Sequence, residues 1–391
     1  MRDLLRRIHL TIGALLCVPL GVLGLTGSVL VFEDDLRAMF EPPPVARATG
    51  AARPSAEIVE AARGAAPRGT APNYLAPAQR YGDSAQVRFS DPKRGPGPGG
   101  LLVFVDPVSG AVLGTQQGSD GLIRQISSLH SNLLLRDFGG RSVIGWLGVA
   151  MLMLGCTGPF LWWPKRQQWR SVFRVRWNAG PYAVLRDLHG IVGICGVIVL
   201  LAVSFSGVYL AFPQTVGGTI ASILPARDLR GGGSEVRVTP IEGRMPLDID
   251  AAAALARSAA PDATLRSIFL PLRKDQPYRV NLARGEAEQG VPLVSVFVDP
   301  WAGRVVELRD PQTYSAGERI IGWQRALHAG AGFGWPWKIV VFLSGFLPPL
   351  FAGSGVAMWL LKRRARLQRK AAGEPRQTST QQGKIAERQQ S

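Results

Sequence analysis

Only four histidines occur in 391 residues, and each stands at or just before a long apolar block: His9, His189, His130 and His328. A neutral imidazole binds metals and carries protons. Their surroundings repeat. Arg7-Ile8-His9-Leu10-Thr11-Ile12-Gly13 aligns with Asp187-Leu188-His189-Gly190-Ile191-Val192-Gly193 at an offset of 180, and Leu129-His130 matches Leu327-His328 at an offset of 198. Cys17, Cys156 and Cys195 are an odd, scattered set without Cys-x-x-Cys, so neither a disulfide framework nor a zinc site is encoded. The missing Cys-x-x-Cys-His also excludes covalently attached c-type haem. Opposed neutral imidazoles in apolar helices, without carboxylate or thiolate, suit axial ligation of haem iron better than zinc, which wants four protein ligands.

Such imidazoles need long apolar helices to hold them. Leu10–Phe32, Val143–Trp163, Ile191–Phe212 and Ile339–Leu361 are 21 to 23 residues long and free of Asp, Glu, Lys, Arg and His. That is the length and purity of bilayer-spanning helices, and it excludes a soluble enzyme. The net charge of +17 would suggest nucleic-acid binding if spread over a folded surface. Instead residues 1–9, 164–190 and 362–391 hold +2, +5 and +7 of it, the positive-inside signature of cytoplasmic pieces. No nucleic acid is expected as a partner; the bilayer is. The first block is too long for a secretory signal's core of roughly 7–15 residues, and Glu33-Asp34-Asp35 follows it, so it reads as a retained helix. The expected order is a cytoplasmic start and helix over 1–32, an outer domain over 33–142, a helix over 143–163 and a basic cytoplasmic loop over 164–190. The second half repeats it with a helix over 191–212, an outer domain over 213–338, a helix over 339–361 and a basic, disordered cytoplasmic tail over 362–391.

The outer segments repeat as well. Val103-Phe-Val-Asp-Pro-Val-Ser-Gly110 returns as Val296-Phe-Val-Asp-Pro-Trp-Ala-Gly303, strands ending in Asp-Pro-x-x-Gly turns that predict hairpins. Alanine-rich Ser55–Ala66 and Asp250–Ala260 read as helices, so each segment is α+β. Gly95-Pro-Gly-Pro-Gly-Gly100 between them is a loop and no dinucleotide fingerprint. The expected fold is an all-α four-helix membrane bundle with internal parallel duplication, carrying two separate outer α+β domains. Its pseudo-two-fold axis along the membrane normal pairs His9 with His189 and His130 with His328. A hydrocarbon core about 30 Å thick separates the two depths. Gly13 and Gly193, four residues after their histidines, serve either a flat macrocycle or close helix packing. Arg6, Arg7 and Arg186 inside, and Arg136, Arg141 and Arg325 outside, pair with haem propionates or anchor the topology. The tryptophans at the block ends read as an interfacial belt.

Arg-Ile-His9-Leu-Thr-Ile-Gly with Leu-Thr-Gly27, Leu-His130-Ser-Asn-Leu, Gly158-Pro-Phe-Leu-Trp-Trp-Pro-Lys-Arg166 and the repeated hairpins together resemble the PepSY-associated transmembrane proteins. Gly158-Pro159 departs from that pattern as a helix breaker. The resemblance covers the chain to about Arg369 and implies two b-type haems ligated by His9, His189, His130 and His328 in a multi-pass protein of the bacterial inner membrane. It also implies two outer PepSY-like domains and a haem-dependent oxidoreductase activity on ferric siderophores. The cytoplasmic pieces are too short for a flavin or nicotinamide domain, so the expected electron donor is a quinol or another protein. The alternatives are a membrane-anchored binding or regulatory module, and a metal or haem permease. Charge-free spans disfavour the permease.

Overall fold

The computed structural model describes residues 1–91, 100–117, 121–164, 167, 169, 171–227, 235–285 and 290–371. The 95–99 loop, Lys165-Arg166 and the tail beyond 371 lie outside the described residues. Four stretches are long and apolar enough to cross a membrane: Arg2–Leu30, Gly140–Trp162, Pro181–Ala211 and Gly334–Arg369. The first three are single helices α1 (Arg2–Leu30), α5 (Gly140–Trp162) and α6 (Pro181–Ala211). The fourth is two, α10 (Gly334–Ser344) and α11 (Leu347–Ala371), interrupted before Pro348-Pro349. Pro159 does not break α5, which runs three residues past it because a proline near a helix end forfeits only one backbone bond.

The expected all-α bundle with two separate α+β domains is corrected by the sheet. The chain forms one eight-stranded antiparallel sheet in the order β4-β3-β2-β1-β5-β6-β7-β8. Its first half is β1 (Ala71–Ala76), β2 (Ala85–Ser90), β3 (Leu101–Val105) and β4 (Val112–Gln117). Its second half is β5 (Thr264–Phe269), β6 (Tyr278–Ala283), β7 (Val294–Asp299) and β8 (Arg304–Arg309). The halves join where β1 meets β5, Tyr74 opposite Phe269 and Leu75 opposite Ile268. Two separate four-stranded sheets would each leave an unpaired edge at this place, and pairing the edges removes both liabilities.

One face of the sheet carries the core. Leu75, Val87, Val103, Val105, Ile268, Val280, Leu282, Val296 and Val298 are buried there, beneath α3 (Ser55–Arg63) and α8 (Ile249–Ala259). Those helices lock across the halves, because the Asp250 carboxylate of α8 accepts the backbone N–H groups of Ser55 and Ala56 at 2.8 and 2.9 Å. The donors are orphans of the first turn of α3, so one half caps the other's helix. Around the sheet lie α2 (Glu33–Phe40), α4 (Leu122–Asn132), α7 (Pro213–Ile223) and α9 (Ala316–Ala329).

By contacts the chain divides into two compact units. One holds residues 1–22, 153–198 and 346–391; the other holds 23–152 and 199–345, sheet included. In the second unit α5 meets α6 at Gly148, where a Cβ would stand 2.9 Å from Val208, and the α10 end meets α1 at Gly345, where one would stand 2.4 Å from the Gly24 carbonyl. Both contacts join one half of the chain to the other and need a residue without a side chain.

The Asp-Pro-x-x-Gly hairpins form as expected. Asp106 Oδ1 accepts from the N–H groups of Val108 and Ser109, both at 3.0 Å, and Oδ2 from those of Arg47 and Ala48, both at 3.1 Å. Asp299 does the same for Trp301 and Ala302. The amide of Ser109 foremost, with those of Ala48, Val108 and Arg47, holds the Asp106 carboxyl down to about 2 against the opposing effect of burial. A carboxyl depressed on folding stabilises above its unfolded pKa, and that stabilisation is lost as pH falls from about 4 toward 2. Asp106→Ala should therefore lower the unfolding temperature clearly at pH 7, and the gap to wild type should close progressively below pH 4. A gap independent of pH in thermal unfolding would show that the charge of Asp106 is irrelevant to the turn.

Candidate functional site

His130 and His328 do not stand on the apolar spans but on the short helices α4 and α9, near the C-terminal end of each. The start of α9 is fixed by a capping box. Ser315 Oγ accepts from the Glu318 N–H, and Glu318 Oε2 accepts from the Ser315 N–H at 2.8 Å. Arg227 donates to the same carboxylate, and despite burial this bond and the surrounding amides hold Glu318 down to about 2. The end of α4 is tighter. Leu133 and Leu134 follow His130 with φ of 55° and 60°, a left-handed backbone that costs an ordinary residue about 1–2 kcal/mol.

These helices bring the two imidazoles together, with ring centres 6.0 Å apart and planes inclined by 47°. Two imidazoles on opposite sides of one metal ion have centres about 6 Å apart, from metal–nitrogen bonds of about 2 Å and about 1.1 Å from nitrogen to ring centre. Each ring docks on a first helix of its own half. His328 Nδ1 lies 2.9 Å from the Val203 carbonyl and 3.1 Å from Ser206 Oγ. His130 Nδ1 lies 3.0 Å from Thr26 Oγ1 and bonds the Leu23 backbone, the position 180 residues before Val203. A carbonyl can only accept, so Nδ1 carries the proton and Nε2 the lone pair. Burial, then the neighbouring His328, hold His130 down to about 4, and burial lowers His328 too, so both are neutral at pH 7. Gly27 and Gly207 lie against the ring edges; a Cβ at either would sit 3.0 Å from Cε1.

His9 and His189 belong to the other unit and repeat this logic with different partners. His9 Nδ1 lies 2.8 Å from Thr157 Oγ1, whose hydroxyl donates to the Met153 carbonyl at 2.7 Å. His189 Nδ1 lies 2.7 Å from Ser354 Oγ, whose hydroxyl donates to the Phe351 carbonyl at 3.2 Å. With its hydrogen committed, each hydroxyl accepts, and again Nδ1–H donates while Nε2 keeps its lone pair. Thr157 and Ser354 are themselves equivalent at the repeat offset of 197.

The other expected residues fall out differently. A Cβ at Gly13 would meet no atom within 4 Å and one at Gly193 only the Phe351 ring at 4.0 Å, so close helix packing is not what these glycines serve. Arg325 lies one turn before His328 and lines a cavity. Arg136 is exposed in the short turn Arg136–Phe138. Arg141 donates to the Leu210 carbonyl at the end of α6, and Arg186 pairs with Asp187 at 3.0 Å, both partners within the protein. Sequence reasoning gave no role to Thr26, Ser206, Thr157, Ser354, Gly27 or Gly207. Their signal was the repeat, since each is matched in type, Thr26 with Ser206 and Gly27 with Gly207 at an offset of 180 and Thr157 with Ser354 at 197.

Among the described residues no three of His, Cys, Asp and Glu gather as a metal-ion nest. Paired neutral imidazoles with nothing else therefore fit a metal whose other ligands come with a macrocycle. The PepSY-associated TM region family matches residues 6–362. The chain belongs to that family. With its four apolar helices, this makes it a membrane protein. An uncharacterized protein of Pseudomonas aeruginosa is 36% identical over 80 residues, which are 20% of this chain and 19% of that relative's length.

The hydrogen bonds fix a testable proton position. Nitrogen-15 NMR of histidine-labelled protein stripped of any bound metal should show Nδ1–H tautomers at all four histidines, and Thr157→Val or Ser354→Ala should disturb His9 or His189 alone. An Nε2–H tautomer at His328 would overturn the assignment, since the Val203 carbonyl cannot donate.

Proposed function

We propose that this PepSY-associated membrane protein is a two-haem, b-type electron-transfer protein of the bacterial inner membrane that reduces ferric iron held by a siderophore on the outer side. The observation that carries the reading is the His130–His328 pair, with ring centres 6.0 Å apart and both Nδ1 atoms anchored. His130 and His328 would hold one haem, and His9 and His189 the other. Bound there, haem supplies a one-electron ferric/ferrous couple.

The protein's own groups set the conditions for that couple. Thr26, Ser206, Thr157 and Ser354, with the Leu23 and Val203 carbonyls, orient the imidazoles and make them more basic ligands. Gly13 and Gly193 leave room beside His9 and His189 for a flat group. The charge-free apolar spans, embedded in lipid, keep water out. At the acceptor one electron converts Fe(III) to Fe(II), which hard oxygen donors bind less tightly, and the iron is released. A quinol or a protein donor supplies the electron, and the basic pieces at 1–9, 164–190 and 362–391 support a cytoplasmic side for both termini.

Purified protein should carry about two extractable haems per chain by the pyridine haemochrome assay, low-spin and six-coordinate. His130→Ala and His328→Ala should each remove the same haem, and His9→Ala and His189→Ala the other. Haem near zero, or loss that couples His9 to His130, overturns the ligation. Chemically reduced protein mixed with a ferric hydroxamate should be reoxidised, with ferrous iron caught by a chelator. Protein that stays reduced with every ferric chelate but reacts quickly with a quinone overturns the reductase reading.

A further inference from the structure

In the unit that holds His9 and His189, three helices run past their apolar blocks on the side of the chain termini. Helix α1 starts at Arg2, eight residues before Leu10; α6 starts at Pro181, ten before Ile191; α11 ends at Ala371, ten after Leu361. At 1.5 Å per residue they project about 12–15 Å, beyond a headgroup layer of roughly 5–8 Å. Their contacts make one platform. Arg2 donates to the Leu161 carbonyl near the end of α5 at 2.8 Å, and the Lys362 ammonium of α11 stands 5.0 Å over the Tyr182 ring of α6. Trp162 of α5 fills the space at Gly190 of α6, where a Cβ would lie 2.6 Å from its ring. His9 and His189 stand at the base of these projections.

The charge of the platform is uncompensated. Arg6 and Arg7 of α1, Arg174 of the loop before α6, and Arg364, Arg366 and Arg369 of α11 are exposed, and none of the six meets a carboxylate among the described residues. Asp187 already binds two arginines, Arg176 at 2.8 Å and Arg186 at 3.0 Å. On the sheet, by contrast, Arg284 is matched by Asp262 and Asp310, and Arg309 by Glu235 and Glu307. Membrane topology explains the sign of this charge but not its place. Lys362 and Arg363, next to the span, lie over Tyr182 and Trp359 at 5.0 and 5.6 Å, as interfacial anchors do. Arg366 and Arg369 stand about 7–12 Å past Leu361 on the same unbroken helix. A basic helix made for lipid lies in the interface plane with an apolar face down. Helix α11 instead continues its span, so these two charges stand off the headgroups. Among them Trp177 and Leu367 are 69% and 56% exposed, the mixture of apolar side chains and arginine found where proteins meet.

We infer that this platform docks an acidic, water-soluble one-electron carrier protein, the donor to the His9–His189 site. The inference rests on the electron-transfer reading, in which this side is cytoplasmic, and narrows its two kinds of donor to one. The pieces at 1–9, 164–190 and 362–391 are too short to fold a donor domain, so the electron arrives on another molecule. A neutral quinol dissolved in lipid gains nothing from charges that stand off the membrane. A negatively charged protein gains both a faster encounter and a preferred orientation. A flavin or an iron–sulfur cluster suits the role, since either releases electrons singly. The carrier is oxidised by one electron and the inner site is reduced by one, with no bond made or broken and no proton moved.

Biolayer interferometry of the full chain in phosphatidylcholine nanodiscs, with an acidic plant-type ferredoxin as probe, tests this. Saturable binding that weakens about tenfold or more between about 50 and 300 mM salt is expected, and none by ferredoxin whose surface carboxylates have been amidated. Arg366→Glu combined with Arg369→Glu should weaken binding about tenfold or more. Arg366→Gln with Arg369→Gln gives the same direction should the charge reversal fail to insert. Arg304→Glu, at an exposed position of β8, should change nothing, and an equal loss there overturns the assignment to this face. Equal binding by wild type and the folded double variants overturns the proposal. So does enrichment of phosphatidylglycerol that depends on Arg366 and Arg369 while ferredoxin stays unbound, because the arginines then serve the membrane. Normal haem content without ferredoxin binding overturns the docking surface alone. Binding by protein that holds no haem overturns the electron-transfer reading, and the carrier's role with it.

Discussion

Two backbone pairings, Tyr74 with Phe269 and Leu75 with Ile268, turn a duplicated chain into one object. The seam is short, and Tyr74 and Phe269 reinforce it with an edge-to-face ring contact at 4.9 Å. Around it the two halves of the sheet are related by an approximate two-fold. The helices that follow β4 and β8 inherit that relation, so α4 and α9 approach from opposite sides and present His130 and His328 to each other. A slip of one residue at the seam would reverse which side chains face the core and which face these helices.

The same economy governs the helix contacts. A hydroxyl or carbonyl one helix away takes the Nδ1 proton of every histidine, and matched positions in the two halves do the work: Thr26 with Ser206, Thr157 with Ser354, Leu23 with Val203.

The sequence revealed what is local and what is periodic. Charge-free blocks marked the four helices because lipid excludes charge, and Asp106 and Asp299 marked the hairpins because an aspartate two residues before free amides makes the turn. The repeat offsets gave the pairing of His130 with His328, since like positions on like elements must face across a symmetry axis. The seam between β1 and β5 was not readable. Edge pairing joins residues almost two hundred positions apart, and nothing in Tyr74-Leu75 names Ile268-Phe269. The short helices α4 and α9 escaped too, being masked by the apolar blocks that follow them. The break before Pro348-Pro349 lies inside a block read as one helix, whereas Pro159, read as a breaker, sits too near its helix end to act as one.

The cap that Asp250 places on α3 has a consequence in time. During synthesis the first half emerges with β1 unpaired on one side and the amides of Ser55 and Ala56 without their acceptor. At about 5–20 residues per second, roughly 200 residues and two membrane segments must be made before Asp250 and β5 arrive, a wait on the order of 10–40 s. Throughout that interval a bare strand edge is open to any extended polypeptide nearby. Premature release or arrest between the halves is thus the moment at which this chain is most exposed to misassembly, and quality control has most to gain by acting there.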